Sequence, residues 1–185
     1  MRKLLKIVIV VLVCYIIAVV SNAIFLDQIV ISGNSMESNF SNGEFGLADK
    51  QLYKITKLKR FDVVVIEQDK EYIVKRVVGL PNETIEYKNG VLKVNNEVIN
   101  ESFISDNTKS ETNRDGLEIS ITLKENEYYV LGDNRYTSYD SRNFGPVDFD
   151  NIKGRLFVIY GQCSNLVCED NTCKCDKKYF IPRFI

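Results

Sequence analysis

The segment ISGNSMESNF, residues 31–40, places Ser35 in a polar turn directly after an apolar run that is typical of a strand. A serine hydroxyl acts as a nucleophile when a neighbouring base takes its proton. The chain contains no histidine, which excludes a Ser-His-Asp triad and a Cys-His pair. The composition is compatible with a Ser-Lys pair, in which an unprotonated lysine is the base.

The lysine that the sequence offers lies in YIVKRVVG, residues 72–79. Because side chains alternate along a strand, Lys75 and Arg76 point to opposite faces, and one of them is expected in apolar surroundings. The alternative is an edge strand on which both charges are solvated. Burial disfavours a charged amine, and roughly 3 kcal/mol of desolvation lowers a lysine pKa from about 10.4 to about 8. Arginine stays protonated in proteins, so Lys75 is the candidate base.

A third polar segment, LGDNRYTSYDSRNFGPV, spans residues 131–147 and is framed by Gly132 and Gly145. Among its polar side chains are Asp133, Asn134, Arg135, Ser138, Asp140, Ser141 and Arg142. On its own, this composition is also typical of a surface loop with turn residues and solvated ion pairs, each of which contributes little to stability.

Strands are the elements expected to hold these three segments. The chain shows no long amphipathic helix beyond its N-terminal quarter, and we predict a mostly β domain at residues 27–162. Asn89 with Gly90 is a strong hairpin-turn signal, and Asn95 with Asn96 is a weaker one. Residues 100–118 are predicted to form a solvated loop or insertion. The strand-like runs are LDQIVISG, FDVVVIEQ, EYIVKRVVGL, ETIEYKNGVLKVNNEVI, ISITLKENEYYVLGDN and GRLFVIYG.

The N-terminus indicates a membrane anchor. Residues 1–6 carry Arg2, Lys3 and Lys6, and residues 7–26 contain no charge. Twenty helical residues span about 30 Å, the thickness of a hydrocarbon core. The positive-inside rule then places residues 1–6 in the cytoplasm and the following domain outside the plasma membrane, in a single-pass topology. A cleavable secretory signal is the alternative, because small residues occur near Ala23; the length of the apolar run favours the anchor.

Residues 163–185 form a cysteine-rich extension. Outside the cytoplasm, four clustered cysteines favour two disulfides, with three possible pairings. Zinc is the alternative, although the spacing lacks a C-x2-C knuckle and no histidine is available; free thiols are a third possibility. The terminal KKYFIPRFI is expected either at the membrane interface or packed on the domain. The cysteines are Cys163, Cys168, Cys173 and Cys175, with Cys14 alone in the anchor.

The charge balance argues against a nucleic-acid partner, since Lys+Arg 24 against Asp+Glu 25 gives a net charge of -1. We expect no cofactor and no metal. The length of 185 residues fits one domain plus an anchor.

On these segments the sequence resembles type I signal peptidases of the prokaryotic type, peptidase family S26. These are membrane-anchored Ser-Lys endopeptidases that remove signal peptides from exported proteins. SGNSMESN is similar to the family's serine box and KRFDVVVIE to its R-G-D-I/V-V box. KRVVGLPNE matches the lysine box, and GDNRYTSYDSR matches G-D-N-R-x-x-S-x-D-S-R at every fixed position. The four boxes follow the family order over residues 32–145.

The resemblance implies a signal-peptidase-like (SOS-repressor-protease-like) fold of coiled antiparallel sheets behind one transmembrane helix. It implies Ser35 as nucleophile, its backbone N–H as oxyanion donor, and Lys75 as general base oriented by a hydrogen bond from Ser138. Further implied are an Asp140–Arg142 ion pair and a neighbouring loop shaped by Asp133, Asn134 and Arg135.

The implied substrates are preprotein signal peptides cleaved after small residues of the Ala-x-Ala type, by a monomeric enzyme in contact with membrane lipid. The residues expected to line the pockets are Ile31, Met36 and Val74. Self-cleavage near Ala23 is compatible with this specificity. A related protease dedicated to one precursor and an inactive membrane-tethered binding module are the alternatives.

The sequence departs from the family pattern at three places. Gly33 stands where some members carry a second oxyanion hydroxyl, so another group must supply any second donor. Ser38 and Asn39 replace Pro-Thr, and Asn82 and Glu83 replace Gly-Asp. Neither dyad residue is missing, and the lysine argues against the histidine-using branch.

Overall fold

A computed structural model describes residues 2–104, 118–169 and 172–185, with the backbone alone described for residues 17–24, 169 and 172. The chain begins with helix α1 (Arg2–Phe25). Within the described ranges, no helix is both long enough and apolar enough to cross a membrane. The membrane span at residues 7–26 therefore stays a prediction.

Strands dominate the rest of the described chain, and all their pairings are antiparallel. The prediction of a mostly β domain is confirmed. In chain order the strands are β1 (Leu26–Val30), β2 (Glu44–Asp49), β3 (Val63–Gln68), β4 (Glu71–Gly79), β5 (Thr84–Lys88), β6 (Val91–Val94), β7 (Glu97–Val98), β8 (Glu118–Thr122), β9 (Glu127–Leu131), β10 (Val147–Asp148), β11 (Ile152–Ser164), β12 (Val167–Glu169), β13 (Thr172–Lys174) and β14 (Lys177–Phe184). Two short helices, α2 (Leu52–Thr56) and α3 (Ser141–Phe144), and a 3-10 turn (Phe149–Asn151) connect them.

The large sheet has the order β1-β2-β11-β3-β4-β9-β10, and β14 pairs with the C-terminal half of β11. A second sheet has the order β7-β6-β5-β8, and β12 and β13 form a separate hairpin. The second sheet is built from tight hairpins. Asn89, Gly90, Asn95 and Asn96 all have positive φ, as the two-residue turns that match strand twist require.

Strand β4 lies in the interior of the large sheet, hydrogen-bonded to β3 on one side and to β9 on the other. Lys75 and Arg76 are only 4% and 7% exposed, so both faces of the strand are covered at this point. The alternative of an edge strand with two solvated charges is therefore wrong. Both cations need a physical explanation for their burial.

The predicted solvated loop at residues 100–118 differs from the structure at its start. Glu101 and Ile104 are buried, and residues 105–117 lie outside the described residues. In the C-terminal extension, β14 pairs with the sheet while its side chains remain exposed. The four C-terminal cysteines form two disulfides, Cys163–Cys175 and Cys168–Cys173.

Candidate active site

The turn that carries Ser35 is fixed from several directions. The Ile31 amide donates to Glu44 O at 2.7 Å, and the Gly33 amide donates to Asn42 Oδ1 at 2.9 Å. Directly after Ser35, Met36 is buried in a small apolar cluster that includes Ile31, Phe40, Leu156 and Ile159. The turn that carries Ser35 follows β1 and packs against the hydrophobic core through Ile31 and Met36. This packing fixes the position of the serine.

Lys75 reaches this serine from the middle of β4. Its Nζ lies 2.8 Å from Ser35 Oγ and 3.1 Å from the carbonyl oxygen of Val74. The amine thus has two oxygen acceptors, and the Lys75 side chain is almost fully buried.

Burial lowers the pKa of Lys75 to about 8. The negative charges of Asp140 and Asp133 oppose this change, and the positive charge of Arg142 adds to it. Desolvation is the largest of these effects, because a charged amine loses more hydration on burial than a neutral one. A substantial fraction of the amine is consequently neutral at mildly alkaline pH.

Arg76, the neighbour of Lys75, is neutralised by Asp133. Its Nε and Nη2 donate to the two carboxylate oxygens at 2.8 Å and 2.5 Å, which is a bidentate pair. The Asn39 side chain donates to the same carboxylate at 2.9 Å and so links it to the serine turn. The sequence indicated that Asp133 shapes this region, but its partner Arg76 was not identified.

Asp140 and Arg142 form the second buried ion pair of the site. Asp140 accepts from Arg142 Nε at 2.9 Å and Nη2 at 2.9 Å, and from the Gly132 amide at 2.9 Å. It also caps α3, accepting from the Arg142 backbone N–H. One carboxylate therefore orders the short helix and the preceding Gly132 segment together.

Gly132 and Asn134 hold the serine turn from the other side. The Asn134 amide donates to Ser35 O at 3.0 Å. A Cβ added at Gly132 would lie 2.5 Å from Ser35 O and would overlap the Ser138 side chain, so only glycine permits this approach.

The predicted hydrogen bond between Ser138 and Lys75 is not formed. Ser138 Oγ is buried and has no hydrogen-bond partner among the described residues. The reason is local: the Ser138 amide donates to Asn134 O at 3.1 Å, and this turn packs the side chain against Gly132.

Arg135 has a partner that the sequence did not reveal. Its guanidinium donates to both oxygens of Glu101, one of them at 3.0 Å, and to Gly132 O at 3.1 Å. Both charged side chains are buried. Glu101 lies 34 positions earlier, in the stretch predicted to be solvated, and no local pattern marks it as a partner.

The backbone N–H of Ser35 is available to an external acceptor. Within the part of the chain that the structure describes, this amide donates no hydrogen bond. Gly33 offers no equivalent donor, because its amide is engaged by Asn42 and it has no side chain.

A cavity of about 1070 Å³ opens beside the Ser35–Lys75 pair. Ser32, Ser35, Val74 and Lys75 line it. Of the three predicted pocket residues, only Val74 contributes to this lining. Ile31 and Met36 lie in the apolar cluster below, because the turn packs their side chains into the core.

Comparison with known proteins identifies relatives. The family model described as signal peptidase, peptidase S26, matches residues 2–161. Signal peptidase I V of Bacillus subtilis (strain 168) is 37% identical over 145 residues, which cover 73% of this chain and 85% of that protein. Signal peptidase I of Bacillus licheniformis is 30% identical over 158 residues, 81% of this chain and 84% of that protein. A solved signal peptidase I from Enterococcus faecalis V583 has a TM-score of 0.48 and 30% identity, covering 54% of this chain and 97% of that one.

Proposed function

The chain belongs to the signal peptidase family, peptidase S26, and we propose that it removes signal peptides from exported precursors with Ser35 as nucleophile and Lys75 as general base. The observation that carries the assignment is the 2.8 Å distance between Ser35 Oγ and Nζ of the buried Lys75. That distance lies within the range across which a positioned base abstracts a proton.

The proposed reaction has two halves. Ser35 Oγ attacks the scissile carbonyl while its proton moves to neutral Lys75, and the resulting ammonium returns that proton to the departing amine. This leaves an acyl-enzyme ester on Ser35. Lys75, neutral again, then takes a proton from water, whose oxygen attacks the ester. The ammonium returns this proton to Ser35 Oγ as the ester bond breaks, and the signal peptide leaves with a new C-terminal carboxylate.

The oxyanion of each tetrahedral intermediate is proposed to accept a hydrogen bond from the Ser35 amide. Among the described residues this amide has no acceptor, which supports the assignment. Such a donor is catalytically useful because it is already oriented before negative charge develops on the oxygen.

The substrate is proposed to lie extended in the cavity along β1 and β4. Val74 lines the cavity beside the reacting pair, where a small side chain just before the cut would lie. An Ala-x-Ala preference follows if larger side chains at this place collide with the packed turn.

The proposal includes a single-pass anchor at residues 7–26, with the catalytic domain on the outer face of the plasma membrane. Its support is the 20-residue uncharged run behind Arg2, Lys3 and Lys6. Ser35 lies nine positions after Leu26, so an anchored enzyme would hold its nucleophile close to the bilayer, where signal peptides end. Alkaline carbonate extraction should leave the full chain in the membrane pellet; release into the supernatant contradicts the anchor.

The direct test is incubation of the detergent-solubilised full chain with a precursor that carries an Ala-x-Ala site. Mass spectrometry should locate one cut after the second alanine. Ser35→Ala should abolish this cut, whereas Ser41→Ala, at an exposed serine of the same turn region, should leave it intact. Full activity in Ser35→Ala contradicts the proposal.

A further inference from the structure

The C-terminal hairpin of β12 and β13 borders the cavity that contains the Ser35–Lys75 pair. Cys168 and Cys173, which face each other across the hairpin and form its disulfide, line the same cavity as Ser35 and Lys75. The hairpin lies beyond residue 161, where the match to the family model ends.

The root of the hairpin is fastened beside the serine turn. The Cys163 amide donates to Gly43 O at 2.7 Å, and the Gly43 amide donates to Ile31 O at 2.8 Å. Gly43 has a φ of 88°, and a Cβ there would lie 2.7 Å from the carbonyl oxygen of Cys163. Two hydrogen bonds through Gly43 thus connect Cys163, at the root of the hairpin, to Ile31, which precedes Ser35 in the chain.

Two nested disulfides restrict the movement of this segment. Cys163–Cys175 closes a loop with a sequence separation of 12, and Cys168–Cys173 closes one of 5 inside it. Cys163 is buried against the sheet, whereas Cys168 and Cys173 are exposed toward the cavity. Cross-links of this kind reduce the number of conformations open to the chain that they enclose.

We propose that this disulfide-closed hairpin, Val167–Glu169 with Thr172–Lys174, is a specificity-determining wall of the substrate groove. It limits the size of the side chains that a precursor carries within three residues of the scissile bond. The inference rests on the proposed function. The physical reason is that an extended peptide projects side chains to both sides, and a fixed wall admits small ones while large ones must displace it.

The test compares one cleavable reference precursor with a panel in which each of the three positions before and after the cut is changed singly to phenylalanine. The enzymes are the full-length wild type, Cys168→Ser/Cys173→Ser, and the cysteine control Cys14→Ser in α1. For each substituted precursor we compare its kcat/KM with that of the reference precursor. In the double variant this ratio should rise about tenfold for a phenylalanine at one or more of the six positions, which is the scale of discrimination that a pocket wall provides. The reference precursor should be cut within about threefold of the wild-type rate, and the control should match the wild type.

A second measurement covers the case in which the opened hairpin impairs folding. The full chain with Ser35→Ala and an intact hairpin is mixed with the reference precursor carrying a photoreactive residue next to the cut. Mass spectrometry should map the cross-link to residues 167–174. Cross-links only elsewhere, or ratios unchanged within twofold at all six positions, overturn the inference while the proposed function stands. Failure of the wild type to cut the reference precursor overturns both.

Discussion

Lys75 Nζ lies 2.8 Å from Ser35 Oγ, although Lys75 belongs to β4 and Ser35 to the turn that follows β1. Two consecutive residues of one segment hold both sides of this contact. Asp133 binds Arg76, the neighbour of Lys75, and the Asn134 amide binds Ser35 O. The distance between amine and hydroxyl therefore depends on the segment at residues 132–135 as well as on the reacting residues.

Replacing Asp133 with asparagine is expected to destabilise the fold strongly. The change leaves the buried guanidinium of Arg76 without its counter-charge, which typically costs about 3–5 kcal/mol. The matched control is Glu118→Gln, whose pair with Lys88 has side chains 61% and 60% exposed and should cost less than about 1 kcal/mol. Urea unfolding of both variants checks this; equal losses would show that burial does not distinguish the two pairs.

A methyl group at Gly132 is expected to lower kcat/KM by about a hundredfold. The added Cβ collides with Ser138 and with the carbonyl oxygen of Ser35, so the proposed nucleophile must move. Misplacement of a reacting atom by about 1 Å costs about a hundredfold in rate. The measurement is kcat/KM of Gly132→Ala together with its circular dichroism. Wild-type kcat/KM in a folded variant would contradict the contact.

Arg183 links the C-terminal strand to the serine turn and is expected to support catalysis indirectly. Its Nη2 donates to Asn39 O at 2.5 Å and to the Glu44 carboxylate at 2.6 Å, and its guanidinium lies over the Phe40 ring. Because the side chain is partly solvated, we expect Arg183→Ala to lower kcat/KM by about threefold to tenfold. Arg183→Lys should recover part of this loss. If Arg183→Ala has the same kcat/KM as the wild type, Arg183 does not support catalysis.

The sequence made Lys75 the candidate base because the chain lacks histidine and because only lysine, not the adjacent arginine, can lose its proton on burial. The resemblance of its segment to the family's lysine box then favoured this reading over an exposed edge strand. It also located both tight turns and most of the strands, which follow local patterns of β-branched residues and Asn-Gly turns. These features depend on neighbours in the chain. It missed β2 (Glu44–Asp49), the short β10 and the C-terminal strands β12 to β14.

Contacts between distant residues were not predictable in the same way. Asp133 and Arg76 are 57 positions apart, and Arg135 and Glu101 are 34 apart. Glu101 lies in a polar stretch that was predicted to be solvated, and only the fold shows that it pairs with Arg135. Likewise, the sequence allowed three pairings of the C-terminal cysteines. The hairpin of β12 and β13 places Cys168 opposite Cys173, and Cys163 pairs with Cys175 where the chain returns to form β14 along β11.

The buried amine should make stability depend on pH in a specific direction. The folded pKa of Lys75 is lowered from 10.5 to about 8, so between these values the unfolded chain binds more protons and the free energy of unfolding rises with pH. A difference of about 2.5 pKa units corresponds to about 3 kcal/mol. Lys75→Met lacks this cost and should exceed the wild type in stability at pH 7.

That advantage should shrink by about 2–3 kcal/mol between pH 7 and pH 10, because the wild-type amine is neutral in the folded state at the higher pH. Urea unfolding of the two proteins at both pH values provides the measurement. A difference in free energy that stays constant with pH would show that the amine is not desolvated.

The most direct test of a neutral lysine beside the serine is the pH dependence of kcat/KM for cleavage of an Ala-x-Ala precursor by the full chain. If Lys75 must lose its proton before it can accept one from Ser35, activity rises with pH along an acid limb whose inflection lies at about 8. An inflection near 10.5, or the same profile in Lys75→Ala, would contradict the account.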